Sequence, residues 1–164
     1  MILIGIGSNL AAPPAETPLQ TLMAALVALP RSGIEIVARS GWYSSEPIPA
    51  SDQPWFVNGV AMVSCTLSPR ALLDRLLAVE SDFGRLRGAP NAARTLDLDL
   101  LDCESRLCDT TTLTLPHPRL HQRRFVLAPL CEIAPDWRHP RLGSSVRELL
   151  ARLPPGQPVY RIGG

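Results

Sequence analysis

The chain has 164 residues, 46% of them apolar, and its sixteen basic and fifteen acidic side chains leave a net charge of only +1. All sixteen basic residues are arginines, which excludes a lysine-containing phosphate-binding loop, a Schiff-base lysine and a lysine general base. The balanced charge disfavours a nucleic-acid or membrane-surface protein, and the length predicts one domain spanning residues 1–164.

The first elements along the chain are a predicted strand and a predicted helix. Ile2–Ile6 is a short β-branched segment followed by the turn residues Gly7-Ser8-Asn9, which predicts a strand and then a loop. Thr17 followed by Pro18 is a typical helix start, and apolar residues then recur at helical spacing up to Pro30. This helix should bury one face.

Two further strands are predicted at Ile34–Tyr43 and Phe56–Cys65, because both segments are rich in β-branched and aromatic residues. The intervening residues 44–54 are rich in proline and serine and are long for a hairpin connection. Long ordered loops commonly carry function, so this segment is a candidate binding loop.

A second helix is predicted from Ser68-Pro69 to Gly84, and the alternating segment Thr95–Leu101 predicts a final strand. The resulting order, β-α-β-β-α-β, predicts a ferredoxin-like α+β sandwich with two helices on one face of an antiparallel sheet. The remaining residues form a C-terminal extension with predicted short helices at Phe125–Ile133 and Ser144–Leu153.

Chemistry is concentrated around two carboxylates of the final strand. Asp97 and Asp99 are two residues apart, so their side chains share a face with Cβ atoms about 6 to 7 Å apart. The pair alone is compatible with an ordinary polar strand face. Arg94 and the upstream Arg85 and Arg87 favour a polyphosphate site instead, in which divalent cations and guanidinium groups neutralise phosphate charge.

Other features argue for a cytoplasmic protein without a zinc site. The N-terminus has no basic leader, and the longest apolar run, Leu22–Leu29, is far shorter than the roughly 20 residues of a membrane helix. Four cysteines without C-x-x-C spacing are expected to be reduced core residues. His117 and His121 have a spacing that could hold zinc, but Pro118 interrupts the segment and no third ligand follows.

Four motifs occur in a characteristic order. They are Gly7-Ser8-Asn9-Leu10, Asp52-Gln-Pro-Trp-Phe-Val-Asn58, Arg94-Thr-Leu-Asp-Leu-Asp-Leu-Leu101 and Leu115-Pro-His-Pro-Arg-Leu-His-Gln-Arg-Arg-Phe-Val-Leu-Ala-Pro-Leu130. Together they resemble the 6-hydroxymethyl-7,8-dihydropterin pyrophosphokinases, folate-pathway enzymes that move pyrophosphate from ATP to a pterin alcohol. The resemblance covers roughly residues 1 to 140.

The resemblance implies a role for each matching position. Asp97 and Asp99 would bind two Mg²⁺ ions with ATP as co-substrate, and Arg85 and Arg94 would stabilise the transition state. The implied ATP-binding residues are Glu80, Arg87, Leu100, Thr114, His117 and Arg123. The implied pterin-binding residues are Ser45, Ile48, Phe56, Asn58 and Phe125, with the two aromatic rings stacking on the pterin. Such an enzyme is expected to be a monomer that binds neither nucleic acid nor membrane.

Two alternatives belong to other functional classes. Pro90-Asn91 stands where the family commonly has a basic residue and a tryptophan in a closing loop. A catalytically weakened paralogue that only binds pterin or nucleotide is therefore the main alternative. An RNA-binding ferredoxin-like module is the other, and the net charge of +1 without a basic stripe disfavours it.

Overall fold

The structure, a computed structural model, describes residues 1–85 and 92–163 and contains an antiparallel sheet covered by helices on both faces. The strands of the large sheet are β1 (Ile2–Ser8), β2 (Glu35–Arg39), β3 (Trp42–Ser45), β4 (Phe56–Ser64), β5 (Asp97–Cys103) and β8 (Val159–Ile162). The helices are α1 (Pro18–Arg31), α2 (Pro69–Asp82), α3 (Arg124–Ile133) and α4 (Val146–Arg152). A small separate hairpin joins β6 (Cys108–Asp109) to β7 (Thr114–Leu115), and a 3₁₀ turn spans Leu120–Gln122.

The sheet order is β5-β1-β4-β3-β8, with β2 also paired to β4. Strands β1 and β4 lie at the centre, and β1 pairs antiparallel with both β4 and β5. The elements follow the predicted β-α-β-β-α-β order when β2 and β3 together are counted as its second strand. The predicted ferredoxin-like fold is therefore confirmed.

Both long helices begin where the sequence predicts. The Thr17 hydroxyl accepts a hydrogen bond from the N–H of Gln20, and the Ser68 hydroxyl accepts one from Ala71. A proline follows each cap, where its missing N–H costs no intrahelical bond. The helices cover the same face of the sheet, and their apolar stripes pack on buried residues of β1, β4 and β5.

The C-terminal extension forms a second helical layer, which the sequence did not predict. α3 packs against β4 and against α4 on the face opposite α1 and α2. The predicted helix at Phe125–Ile133 is confirmed within one residue, and α4 begins at Val146 with Ser145 as its cap. Sequence periodicity identifies a helix but does not identify the sheet face that it covers.

The prediction of one continuous strand over Ile34–Tyr43 is wrong. The backbone breaks at Ser40-Gly41, where the Ser40 hydroxyl accepts a hydrogen bond from the N–H of Val60 at 3.0 Å and donates one to the carbonyl of Gly41 at 2.7 Å. A serine side chain that bonds the backbone in this way interrupts the regular ladder. Two strands, β2 and β3, result, and both pair with β4.

Strand β5 begins two residues later than predicted and extends to Cys103. Leu98 and Leu100 are buried on the side of α1 and α2, so Asp97 and Asp99 lie on the other face. A register shift leaves Leu101 without a β1 partner, since Leu100 pairs with Ile4 and Asp102 pairs with Leu3. This bulge ends the alternation, and Leu101 packs in the core beneath α3 and α4.

The last described residues form an additional strand that the sequence did not predict. Val159–Ile162 pairs antiparallel with β3, joining Val159 to Ser45 and Ile162 to Trp42. In the described chain, no helix has both the length and the apolar content that crossing a bilayer requires.

Candidate active site

The side chains of Asp97 and Asp99 lie on the sheet face opposite α1 and α2 and are 20% and 30% exposed. Two arginines bind Asp97. Arg85 Nη1 lies 3.0 Å from Oδ1, and Arg94 Nη1 lies 3.2 Å from Oδ2. Each oxygen of this carboxylate therefore has a guanidinium partner, and Arg85 and Arg94 of the predicted cluster meet at Asp97.

Asp99 has a weaker cationic partner than Asp97. Its Oδ2 is 3.9 Å from Nη1 of Arg123, beyond hydrogen-bond distance. Burial, together with the negative charge of Asp97, raises the pKa of Asp99 to about 7, although Arg123 opposes the shift. The pair of carboxylates thus carries negative charge that the arginines do not fully compensate.

Glu80 lies beneath the cluster and orients Arg85. Its Oε2 accepts hydrogen bonds from the Arg85 guanidinium and, at 2.7 Å, from the N–H of Leu98. The residue is 3% exposed, and burial raises the pKa of this carboxyl although both hydrogen bonds act to lower it. Glu80 therefore holds the guanidinium of Arg85 beside Asp97.

Asn9 contacts the segment that carries Arg94, although the sequence motif that contains Asn9 predicts no role for it. Its Oδ1 accepts a hydrogen bond from the N–H of Arg94 at 2.8 Å, and its Nδ2 donates to Gln53 Oε1 and to the carbonyl of Pro54, both at 3.1 Å. It therefore joins the segment that carries Arg94 to the β3–β4 loop. Its position in the motif Gly7-Ser8-Asn9-Leu10 is the sequence feature that could have indicated a role for this residue.

A cavity of about 500 Å³ lies on one side of the arginine and carboxylate cluster. It contains all five residues predicted to bind pterin, namely Ser45, Ile48, Phe56, Asn58 and Phe125. Its volume suits a small planar ligand. It is also lined by Arg119, Gln122 and Gln157, which the sequence did not single out.

The polar edge of this cavity is held by neighbouring strands. Asn58 is buried, and its Nδ2 donates to the hydroxyl of Ser45. A Cβ at Gly7 would lie only 2.7 Å from Asn58 Oδ1, so the close approach of β1 requires glycine. The guanidinium of Arg123 lies 5.5 Å from the ring centre of Phe125, within cation–π range. Contacts within the protein therefore position both the amide and this ring.

A second cavity of about 340 Å³ lies on the other side of the cluster. Four residues predicted to bind ATP line it, namely Glu80, Leu100, Thr114 and His117, and it also exposes Asp99 and Arg85. Arg123, predicted with them, lines the first cavity instead. Arg87 lies outside the described residues, as does Pro90-Asn91 of the predicted closing loop.

His117 presents a neutral imidazole to the second cavity. Burial and the charge of Arg123 lower the pKa of His117 to about 4. Its Nδ1 accepts a hydrogen bond from the N–H of Arg119 at 3.2 Å, which leaves Nε2 as the protonated, donating nitrogen. The ring of His121 instead packs edge-on against His139, with ring centres 5.6 Å apart. The two histidines of the sequence motif therefore do not share a site.

The two cavities meet at Arg94 and Asp97, which line both. A ligand in one cavity and a ligand in the other would therefore contact the same guanidinium and carboxylate. Such a junction is chemically suited to the transfer of a charged group between two bound molecules.

Comparisons with known proteins identify the family that the chain matches. Residues 3–135 match the family model described as 7,8-dihydro-6-hydroxymethylpterin-pyrophosphokinase. The chain is 39% identical to the 2-amino-4-hydroxy-6-hydroxymethyldihydropteridine pyrophosphokinase of Synechocystis sp., over 98% of this chain and 83% of the relative. It is 42% identical to the protein of the same name from Pseudomonas aeruginosa, over 93% of this chain and 91% of the relative.

Solved structures show the same fold at low sequence identity. A crystal structure of wild-type Plasmodium falciparum HPPK-DHPS with pteroate superposes with a TM-score of 0.68 at 12% identity. The match covers 92% of this chain and 44% of the Plasmodium chain, so this chain spans less than half of that protein.

Proposed function

The chain belongs to the 7,8-dihydro-6-hydroxymethylpterin-pyrophosphokinase family, and we propose on that basis that it transfers pyrophosphate from ATP to 6-hydroxymethyl-7,8-dihydropterin. The products are the pterin diphosphate and AMP, and the reaction is a step of folate biosynthesis. The observation that carries the proposal is the junction of two cavities at Arg94 and Asp97.

The first cavity is assigned to the pterin. A pterin is a flat heteroaromatic ring with an amide edge, and the faces of Phe56 and Phe125 offer the contact area that such a ring needs. Asn58 offers a donor and an acceptor to the amide edge from a buried position. Ser45 holds the Asn58 amide, which fixes the orientation of the polar edge.

The second cavity is assigned to ATP. The neutral His117 donates from Nε2 without adding charge, while the arginines at the junction supply positive charge for the phosphates. Leu100 and Thr114 line the same cavity and would contact the nucleotide. The sequence predicts that Arg87 and Arg123 hold the ATP phosphates. Arg123 lines the neighbouring first cavity, where its Nη1 lies 3.9 Å from Oδ2 of Asp99.

Magnesium fits the carboxylate pair. Asp97 and Asp99 supply hard oxygen donors, and Asp99 has no guanidinium within hydrogen-bond distance among the described residues, so its oxygens are accessible to a cation. We assign two ions to this pair, as in the sequence prediction. When bound, Mg²⁺ neutralises charge on the triphosphate and polarises its phosphoryl oxygens.

The transfer itself requires little covalent chemistry from the protein. The pterin hydroxymethyl oxygen forms a bond to the β-phosphorus of ATP while the bond from that phosphorus to the α-phosphate oxygen breaks. The hydroxyl proton leaves to solvent, and AMP carries away the released oxygen. Arg85 and Arg94 would stabilise the charge that develops on the transferred group, and Glu80 and Asn9 hold these two arginines at the cluster.

Further parts of the proposal concern the assembly and the compartment. We propose a monomer as the active unit, as in the sequence prediction. All four cysteines are unpaired, as expected in a reducing cytoplasm. The near-neutral net charge supports the absence of nucleic-acid and membrane partners.

The test is AMP release from ATP and 6-hydroxymethyl-7,8-dihydropterin, with and without Mg²⁺. We expect AMP and pterin diphosphate in equal amounts, only when all three components are present. Folded protein that binds pterin in calorimetry but releases no AMP would establish the binding paralogue instead. The names of the curated relatives favour the enzyme.

A further inference from the structure

The C-terminal segment 157–162 reaches the cavity assigned to pterin through its first residue, Gln157, although the segment lies beyond residues 3–135 that match the family model. Gln157 lines this cavity, together with Glu46, Pro47 and Ile48 of the β3–β4 loop. The residue is separated from Phe125, the nearest predicted pterin contact in sequence, by more than thirty positions. Its presence there depends on the path of the chain after α4.

Gln157 and Pro158 bind the start of the β3–β4 loop. The Gln157 Nε2 donates to the carbonyl of Glu46, and the N–H of Glu46 donates to the carbonyl of Pro158 at 3.3 Å. Both backbone polar groups of Glu46 therefore have partners in the C-terminal segment. The preceding residue, Ser45, pairs with Val159 in the sheet and holds the Asn58 amide.

The same segment also contacts the end of the loop. Tyr160 stacks on Trp55, with ring centres 6.2 Å apart and ring planes 9° from parallel. Trp55 directly precedes Phe56, one of the two aromatic residues at the cavity. One short C-terminal segment therefore holds residues at both ends of the loop, next to Ser45 on one side and next to Phe56 on the other.

We propose that Gln157 is a positioning residue of the pterin subsite and that residues 157–162 hold the β3–β4 loop in its binding conformation. This inference rests on the proposed function, which assigns pterin to the first cavity. A loop that is ordered before binding loses less conformational entropy on binding, so the contacts should increase pterin affinity. They should leave ATP affinity unchanged, because Gln157 does not line the second cavity.

The first test compares Gln157→Ala and Gln157→Glu with the wild type in steady-state kinetics. The glutamate variant matches the glutamine in size but cannot donate to the Glu46 carbonyl. We expect both variants to raise the KM for pterin about five- to tenfold, the effect of one lost hydrogen bond, with kcat and the KM for ATP within about twofold of wild type. Gln20→Ala is the matched control, since Gln20 is exposed and, among the described residues, its side chain accepts a single hydrogen bond, from the N–H of Glu16.

A second measurement separates loop positioning from a general loss of structure. Hydrogen–deuterium exchange should speed up across residues 46–55 in Gln157→Ala and in Tyr160→Ala, with exchange in β1 and α2 unchanged. An unchanged pterin KM in both Gln157 variants, or equal increases in the KM for pterin and for ATP, would overturn the proposal. If the wild-type protein releases no AMP, the proposed function itself is rejected. Hydrogen–deuterium exchange then tests the positioning role by itself, and unchanged exchange in the loop of both variants would reject that role as well.

Discussion

Asn9 holds the backbone of Arg94 through two reciprocal contacts, one from its side chain and one from its backbone. Asn9 Oδ1 accepts from the Arg94 N–H at 2.8 Å, and the Arg94 carbonyl accepts from the Asn9 N–H at 3.1 Å. Because Arg94 binds Asp97 at the junction of the two cavities, the end of β1 determines where this guanidinium lies. The asparagine is 1% exposed, so water does not readily replace it.

Asn9→Ala should lower kcat about 10- to 100-fold, because the guanidinium of Arg94 loses the support that aligns it. Its free energy of unfolding should fall by about 1 to 3 kcal/mol, since the Arg94 N–H and the Pro54 carbonyl each lose a partner. Asn9→Asp keeps the acceptor for Arg94 and should retain more activity. Steady-state AMP release and urea unfolding measure the two effects, and equal kcat in the alanine and aspartate variants would contradict the role assigned to Oδ1.

Asp97→Asn and Asp99→Asn should each lower turnover by at least about 10³-fold, because each removes a negative oxygen ligand from the proposed magnesium site. Near-native circular dichroism is expected for both. Asp74→Asn is a suitable control, since Asp74 is exposed on α2 and pairs only with Arg70 at 3.1 Å among the described residues. Turnover near the wild-type rate in either site variant would reject the metal role for that carboxylate.

His117 should remain neutral well below the pH at which an ordinary histidine titrates. Its folded-state pKa of about 4 lies below the unfolded value, so the unfolded chain binds more protons between these two values. The contribution of His117 to the free energy of unfolding should therefore fall as the pH drops from about 6.5 to 4, whereas the raised pKa of Asp99 acts in the opposite direction over the same range. An NMR titration of the His117 ring checks this directly, and a midpoint near 6.5 would contradict the buried, neutral state.

Gly7→Ala should damage the pterin cavity, whereas Gly5→Ala should be tolerated. A Cβ at Gly7 would lie 2.7 Å from Asn58 Oδ1, while a Cβ at Gly5 would meet its nearest atoms at an ordinary 3.7 Å. The displaced amide should cost about 1 to 3 kcal/mol of stability and raise the KM for pterin. Thermal unfolding and kinetics on both variants provide the check. Similar pterin KM values in the two would show that Asn58 can move without loss of binding.

The amino-acid sequence by itself determined the local features of this protein. Capping residues followed by proline predicted the starts of α1 and α2, because capping depends on atoms within a few residues of each other. Alternation placed Asp97 and Asp99 on one face of β5 for the same reason. The motifs also indicated the family and residues that the fold brings to two adjoining cavities, and their individual roles stay predictions.

Only the tertiary structure decided how distant segments meet. The contact of Asn9 with Arg94 spans 85 positions, and Gln157 reaches Glu46 across 111. Nothing in the local sequence around either residue specifies its partner. The break at Ser40-Gly41 likewise depends on a hydrogen bond from Val60 in another strand. Strand pairing and packing set these contacts, because their stability comes from surfaces that exist only after the chain has folded.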